Sequence, residues 1–317
     1  LVLFFKKGLL RPSVIRSAYL AAEGFSQPLA EELARRGAAV TAWHGRLAMS
    51  EAPPITAAWS QNTWLSPREI AVGSIGQAAD ALRAIQRNWG GYQAGHFRRA
   101  ALIAQRLPVM RARALVFPQA APAAHLGAWT LLSPDTLLAS PEQSSAFVNG
   151  EVTFEEDRVG PPSRAYLKLW EACTLLGVWP QAGERCLDLG AAPGGWTWAI
   201  AKMGAQVVAV DRAPLEPDIA AMAGVVERRE SAFGIDPLAE GEFDWVFCDV
   251  IAYPARVLGM VRGWAASRRA RRIVCTLKFQ GATDHESAAA FAAIEGGRVV
   301  HLYHNKHELT FLWERQA

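Results

Sequence analysis

The chain has 317 residues, enough for two ordinary domains that each bury a core. Hydrophobic residues make up 51% and charged residues 20%, which excludes a largely disordered protein. A formal net charge of +3 permits a nucleic-acid partner without demanding one, and no apolar run reaches the length of a bilayer-spanning helix. The cysteines Cys173, Cys186, Cys248 and Cys275 form no C-x-x-C pair and have no histidine at zinc-like spacing. They read as reduced core thiols of a cytoplasmic protein without a metal. Nothing in the composition sets an oligomeric state.

The opening LVLFFKKGLLRPSVIR is short, apolar and basic but lacks a small-residue cleavage site. It reads as a loose N-terminal extension rather than a membrane segment. From residue 16 to residue 150 the pattern is α/β but irregular. RSAYLAA predicts a strand, and Ser26 is placed to cap a helix through LAEELARRG that stops at Gly37. AVTAWHGRLAM predicts a second strand and ITAAWSQNTW a third. SIGQAADALRAIQRN and HFRRAALIAQRL carry helical spacing, and RARALVF and AWTLLS return to strand. Two strand–helix–strand units in succession predict a small ferredoxin-like sandwich or a relative of it.

Residues 140–162 are polar, acidic and turn-rich, which places a boundary between domains at residues 16–150 and 151–317. Beyond it the alternation is regular. Ser163 is placed to cap a helix RAYLKLWEACTLLG ended by Gly177. Strand RCLDLG, helix GGWTWAIAKMG and strands AQVVAVD, GVVERRES and FDWVFCDV follow, then a helix from Pro254. Strand RRIVCTLKF, a helix through SAAAFAAIEGG and strands RVVHLYH and ELTFLWER complete the chain. Short apolar strands alternating with helices mean a parallel sheet covered on both faces. A turn near Asn305 and Lys306 predicts that the last two strands pair as an antiparallel hairpin. A parallel sheet ending in such a hairpin is the class I (Rossmann-like) methyltransferase architecture rather than the plain dinucleotide fold.

In open α/β sheets the ligand lies at the carboxyl ends of the strands. Here the first strand runs into DLGAAPGGW, so Asp188, Gly190, Ala191, Pro193, Gly194, Gly195 and Trp196 are candidate cofactor residues. Glycines at that turn let the backbone approach a ligand closely. Asp211 ends the next strand, where it would accept hydrogen bonds from ribose hydroxyls. Glu230 and Ser231 end the third and would face an adenine. A dinucleotide is the competing ligand. The loop reads G-A-A-P-G-G, however, without the middle glycine of G-x-G-x-x-G, and Pro193 removes an N–H that a pyrophosphate needs. S-adenosylmethionine has no phosphate and tolerates that loss, and an acid at position 188 suits its amino group and sulfonium.

SRAYLKL, DLGAAPGGW, the CD of FCDV, the LK of TLKF and the HE of NKHELT together resemble the FtsJ-like family of RNA ribose 2′-O-methyltransferases, most closely the RlmM type acting on 23S ribosomal RNA. The resemblance is close from Ser163 onwards. It is weaker over RSAYLAAEGFSQPLAEEL, which is similar to the family's N-terminal RNA-binding region, ferredoxin-like with a THUMP-like part. It implies an S-adenosylmethionine-dependent enzyme acting on RNA, with a catalytic tetrad of Lys168, Asp249, Lys278 and Glu308, Asp249 also bordering the cofactor. A ribose hydroxyl must lose its proton as the methyl group arrives. A lysine serves as base where burial or a second cation favours its neutral form, and Lys278 at a strand end with Lys168 nearby is so placed. The donor is already cationic, so the chemistry needs alignment and deprotonation rather than a metal.

Taken singly, each tetrad member has an ordinary reading: Lys168 a solvated helix residue, Asp249 a helix cap, Glu308 an edge-strand charge. Four together at matching element ends favour one shared cleft. An RNA-binding protein with a relic methyltransferase fold is the non-enzymatic alternative. A base methyltransferase would need an N-P-P-Y loop or catalytic cysteines where CDVIAYP stands. Arg262, Arg268, Arg269, Arg271 and Arg272 cluster at the sheet edge opposite the expected site, whereas Arg98, Arg99, Arg111 and Arg113 are the better candidates to grip RNA. Trp198 reads as packing, and His304 and His307 receive no role.

Overall fold

The computed structural model describes residues 14–110 and 113–316. The N-terminal extension up to Ser13 and the candidate Arg111 lie outside the described residues. The N-terminal half holds β1 (Ser17–Ala21), α1 (Ser26–Arg35), β2 (Ala42–His44), β3 (Leu47–Ser50), β4 (Ser60–Trp64), β5 (Arg68–Ala71), α2 (Ile75–Ile85), β6 (Trp89–Gly91), α3 (Phe97–Ala104), β7 (Gly127–Ser133) and β8 (Thr136–Ser140). These strands form two four-stranded sheets, ordered β2-β3-β1-β4 and β5-β8-β7-β6, instead of the single sandwich expected.

Local chemistry explains the differences from the sequence pattern. AVTAWHGRLAM folds as two strands because Gly45 takes φ +59 and turns β2 back on β3. Ser26 is the first residue of α1 and caps nothing, Phe25 holding that position. Ser74 does cap α2, its hydroxyl accepting the Gln77 N–H at 3.1 Å. RARALVF forms no strand among the described residues; Leu115 makes only an isolated bridge to Phe154.

The C-terminal half follows as α4 (Tyr166–Leu176), β9 (Arg185–Leu189), α5 (Gly195–Lys202), β10 (Gln206–Asp211), α6 (Pro217–Ala220), β11 (Val225–Arg229), α7 (Pro237–Glu240), β12 (Phe243–Cys248), α8 (Pro254–Ser267), β13 (Ala270–Lys278), α9 (His285–Ala292), β14 (Gly297–Val300) and β15 (Glu308–Glu314). Its seven strands are ordered β11-β10-β9-β12-β13-β15-β14, with β15 antiparallel to both neighbours. Strand order reverses between β9 and β12, so the chain leaving each of them opens a crevice at their carboxyl ends. Ser163 lies outside α4, whose cap position is Ala165, whereas Gly177 at φ +71 ends that helix as expected. The hairpin pairs in register from Gly297 opposite Trp313 to Val300 opposite Thr310. Its connection is a seven-residue loop, 301–307, rather than a tight turn. The loop's backbone donors are used elsewhere: the His301 N–H binds the Ala58 carbonyl at 2.7 Å.

That bond marks where the two halves meet. Tyr19, Leu29, Leu33 and Trp59 share one apolar core with Leu189, Cys275, Phe291 and Phe311 on one face of the large sheet. The other face packs on α4 and α5 through Leu169, Trp198 and Ile200. Trp59 is fully buried, with ring centroids of Phe25, His301, Phe279 and His307 between 5.3 and 5.9 Å away. The Glu32 carboxylate fixes the turn beneath it, accepting the Ala58 and Trp59 N–H groups at 2.8 and 2.9 Å. Trp59→Ala should therefore destabilise the whole chain by about 3–5 kcal/mol. Denaturant titration should show one shifted transition for tryptophan fluorescence and far-UV dichroism alike, and a loss below about 1 kcal/mol would contradict a shared core.

Candidate active site

The carboxyl ends of β12 and β13, the amino end of β15 and one helix converge on a single cluster. Asp249 follows β12, and its Oδ1 and Oδ2 lie 3.0 and 3.2 Å from Lys168 Nζ on the first turn of α4. Lys278, the last residue of β13, places its Nζ 3.1 Å from the same Oδ1 and also donates to the Asp249 carbonyl. Glu308 opens β15 directly opposite Lys278 in register and reaches Lys168 Nζ at 3.1 Å. All four residues named from the sequence are thus brought together. Two cations and two anions balance, which allows the Lys168 and Glu308 side chains to be about nine-tenths buried. Burial works to lower the pKa of Lys168, but the Asp249 and Glu308 carboxylates outweigh it and hold Lys168 above the ordinary lysine value.

Thr276 belongs to this cluster and was not foreseen. Its hydroxyl donates to Asp249 Oδ1, the oxygen that faces both lysines. The signal was available in TLK, since residues two apart on a strand share a face. Across the ladder Thr276 stands opposite Thr310, whose hydroxyl is held by the Asn305 amide at 3.1 Å.

Two clefts meet at Lys278. The first, of about 560 Å³, is lined by Gly190, Asp211, Glu230, Ser231, Asp249 and Lys278. The second, of about 830 Å³, lies between the two halves and is lined by the basic residues Lys168, Lys278, Arg46, Arg164 and Lys306 and by the acidic residues Glu308, Glu23, Glu151 and Glu156. Arg46 and Arg164 were not foreseen as cleft residues. Arg98 and Arg113 are exposed, Arg99 is half-buried, and none of these three lines the cleft. Arg271 and Arg272 sit at the opposite end of β13, facing Asp244 and Glu314.

The glycine-rich loop borders the first cleft at two positions. Of its residues only Gly190 and Ala192 line the first cleft, whereas Asp188, Ala191, Pro193, Gly194, Gly195 and Trp196 do not. The glycines serve close packing: a Cβ on Gly190 would stand 2.9 Å from the Val250 backbone, on Gly194 2.8 Å from Ile219, and on Gly195 2.6 Å from the Ser163 hydroxyl. Trp196 is buried, its indole N–H bound to the Ala165 carbonyl and its ring beneath Lys168 at 5.9 Å. The loop offers little to a pyrophosphate. Gly190 and Ala191 donate to the Val210 carbonyl, Ala192 to the Asp211 carboxylate, and Pro193 has no N–H. Asp211 also accepts the Ala213 N–H, and Glu230 pairs with Arg228, so these two carboxylates at the cleft, like Asp249, have partners. A cationic ligand with hydroxyls suits such a lining better than a phosphate ester does.

Residues 161–284 match the FtsJ-like methyltransferase family model. Three curated relatives share the name Ribosomal RNA large subunit methyltransferase M. The protein of Halorhodospira halophila is 37% identical over 164 residues, covering 49% of this chain and 48% of that protein. That of Aromatoleum aromaticum is 36% identical, covering 47% and 44%. That of Alkalilimnicola ehrlichii is 37% identical, covering 49% and 46%. The chain spans about half the length of the curated relatives it matches.

Asp188 is fully buried below the loop, with Oδ2 taking the Thr197 hydroxyl at 2.6 Å and Oδ1 unpartnered. Burial pushes its pKa from 3.8 up to about 7, the Thr197 bond opposing and the Asp249 and Asp211 charges adding to the rise. The folded state therefore holds a proton that the unfolded state has lost, and Asp188 weakens the fold as pH climbs from about 4 to about 7. Asp188→Asn should melt progressively higher than the parent across that window, with a constant difference above it. Melting differences independent of pH would refute the buried, protonated carboxyl.

Proposed function

We propose that this protein, whose residues 161–284 match the FtsJ-like methyltransferase family model, transfers a methyl group from S-adenosylmethionine to a ribose 2′-hydroxyl of 23S ribosomal RNA in the cytoplasm. The observation that carries the reading is the position of Lys278 on the wall common to both clefts. One cleft suits the donor and the other an extended, anionic acceptor, so the donated group and the hydroxyl would meet at Lys278 and Asp249. The relatives' shared name supports large-subunit ribosomal RNA as the substrate.

Gly190, Asp211, Glu230, Ser231 and Asp249 would hold the donor, with Asp188 buried beneath the loop and bonded to the Thr197 hydroxyl. The donor supplies an electrophilic methyl group on a sulfonium. The chain's own residues do the rest. Lys278, acting as the neutral amine, takes the proton from the acceptor hydroxyl and becomes the ammonium that pairs with Asp249; Asp249 orients Lys278 and Lys168; Lys168, held charged between Asp249 and Glu308, fixes the acceptor cleft's field. Buried and fully paired, this network needs little rearrangement when the hydroxyl arrives.

We infer that residues 16–150 grip RNA and that residues 151–317 carry out the chemistry. The strand order β4-β1-β3-β2, antiparallel throughout, supports a ferredoxin-like relation for the first sheet, and the second sheet would stand where a THUMP-like part is expected. The shared core argues against testing this by truncation, so point variants are better. Arg46→Ala and Arg164→Ala should each weaken RNA binding and reduce its salt dependence by about one unit of slope. Unchanged slopes in a titration from low to high salt would remove these residues from the RNA path.

Lys278→Ala should abolish methyl transfer while S-adenosylhomocysteine binding, read by calorimetry, stays near that of the parent. Lys278→Arg should be nearly as inactive, because a guanidinium keeps its proton near neutral pH. The single-turnover rate on a 23S ribosomal RNA fragment decides the matter. An arginine variant of near parental rate would reduce position 278 to a positive charge and rule out its role as base.

A further inference from the structure

The loop 301–307 that enters β15 is clamped from α4 at both ends. At its far end Glu308 meets Lys168. At its near end the carboxylate of Glu171, one helical turn beyond Lys168 and only 2% exposed, accepts three hydrogens: the Tyr303 N–H at 2.7 Å, the His304 N–H at 3.1 Å and the His304 ring at Nδ1, 2.7 Å away. With its proton on Nδ1, the ring leaves Nε2 without a partner among the described residues. The His304 side chain is 14% exposed and lines the acceptor cleft. Phe154 backs the imidazole at a centroid distance of 5.7 Å, and the Tyr303 ring stands edge-on to it at 5.3 Å. Tyr303 is 42% exposed, and all three rings line the cleft that holds Lys168, Lys278 and Glu308.

A buried carboxylate spending both oxygens on two consecutive N–H groups and a ring is a costly way to close a loop, unless the side chains it presents are needed in one orientation. Bare aromatic faces beside a polar edge are what an unstacked nucleobase binds. We propose that Tyr303 and His304, backed by Phe154 and set by Glu171, form a stacking subsite for one unpaired base of the RNA strand, with His304 Nε2 meeting the base edge; the proposal rests on RNA being the ligand of this cleft. Glu171 is a positioning residue that ties the subsite to the helix of Lys168.

A single-stranded oligoribonucleotide with one 2-aminopurine tests it on the full chain. Stacking should quench the fluorophore, and Tyr303→Ala and His304→Ala should each lose most of the quenching and raise the RNA KM roughly tenfold with a much smaller fall in kcat. Tyr303→Phe should recover the affinity lost in Tyr303→Ala. Glu171→Gln, which has one acceptor oxygen fewer, should lose quenching with both rings present. Parental quenching and KM in the Tyr303 and His304 alanine variants would overturn the subsite. Quenching that depends on both residues in a protein that methylates no RNA would instead overturn the activity while leaving the subsite in place.

Discussion

One carboxylate organises this molecule. Asp249 receives two ammonium groups and a hydroxyl, and those donors come from α4 and β13 while Asp249 itself directly follows β12. Pulling a carboxylate and two lysines out of water is expensive unless each finds its partners, and here the Glu308 carboxylate completes the balance. Much of the surrounding architecture is what such a cluster requires. The antiparallel insertion of β15 next to β13 puts Glu308 opposite Lys278, and the packing of α4 on the sheet delivers Lys168 from above. Strand order, helix placement and charge balance therefore depend on one another.

The parts legible in the sequence were those governed by short-range rules. Near-continuous apolar runs announced the parallel strands, whereas the tetrad was carried onto its four positions by the family resemblance. The glycine-rich loop was recognised, yet what its glycines do was not. Their need arises from Val250, Ile219 and Ser163, which are distant in the chain and invisible to local pattern. Glu171 was hidden for the same reason: its three hydrogen donors come from more than 130 residues away.

The N-terminal half was read less well because its strands are short and several are not alternating. β2, β5 and β6 have three or four residues each, too few for a period-two signal, and β5 is largely exposed. Its division into two sheets follows from β4 passing directly into β5, a step that no turn motif announced. Tertiary packing decided what local propensity left open.

The buried tryptophan at the junction has a mechanical meaning. A reader joined to a catalytic body by a flexible tether samples many spacings, and linker length then governs how often both engage the same strand. Trp59 touches Phe279, the neighbour of Lys278, and the His301 N–H is bonded to Ala58, so here no tether intervenes. A strand held at Arg46 would meet the lysine at a spacing cast into the fold. The molecule would act as a caliper, selecting its nucleotide by distance from the point of grip as much as by the identity of the base.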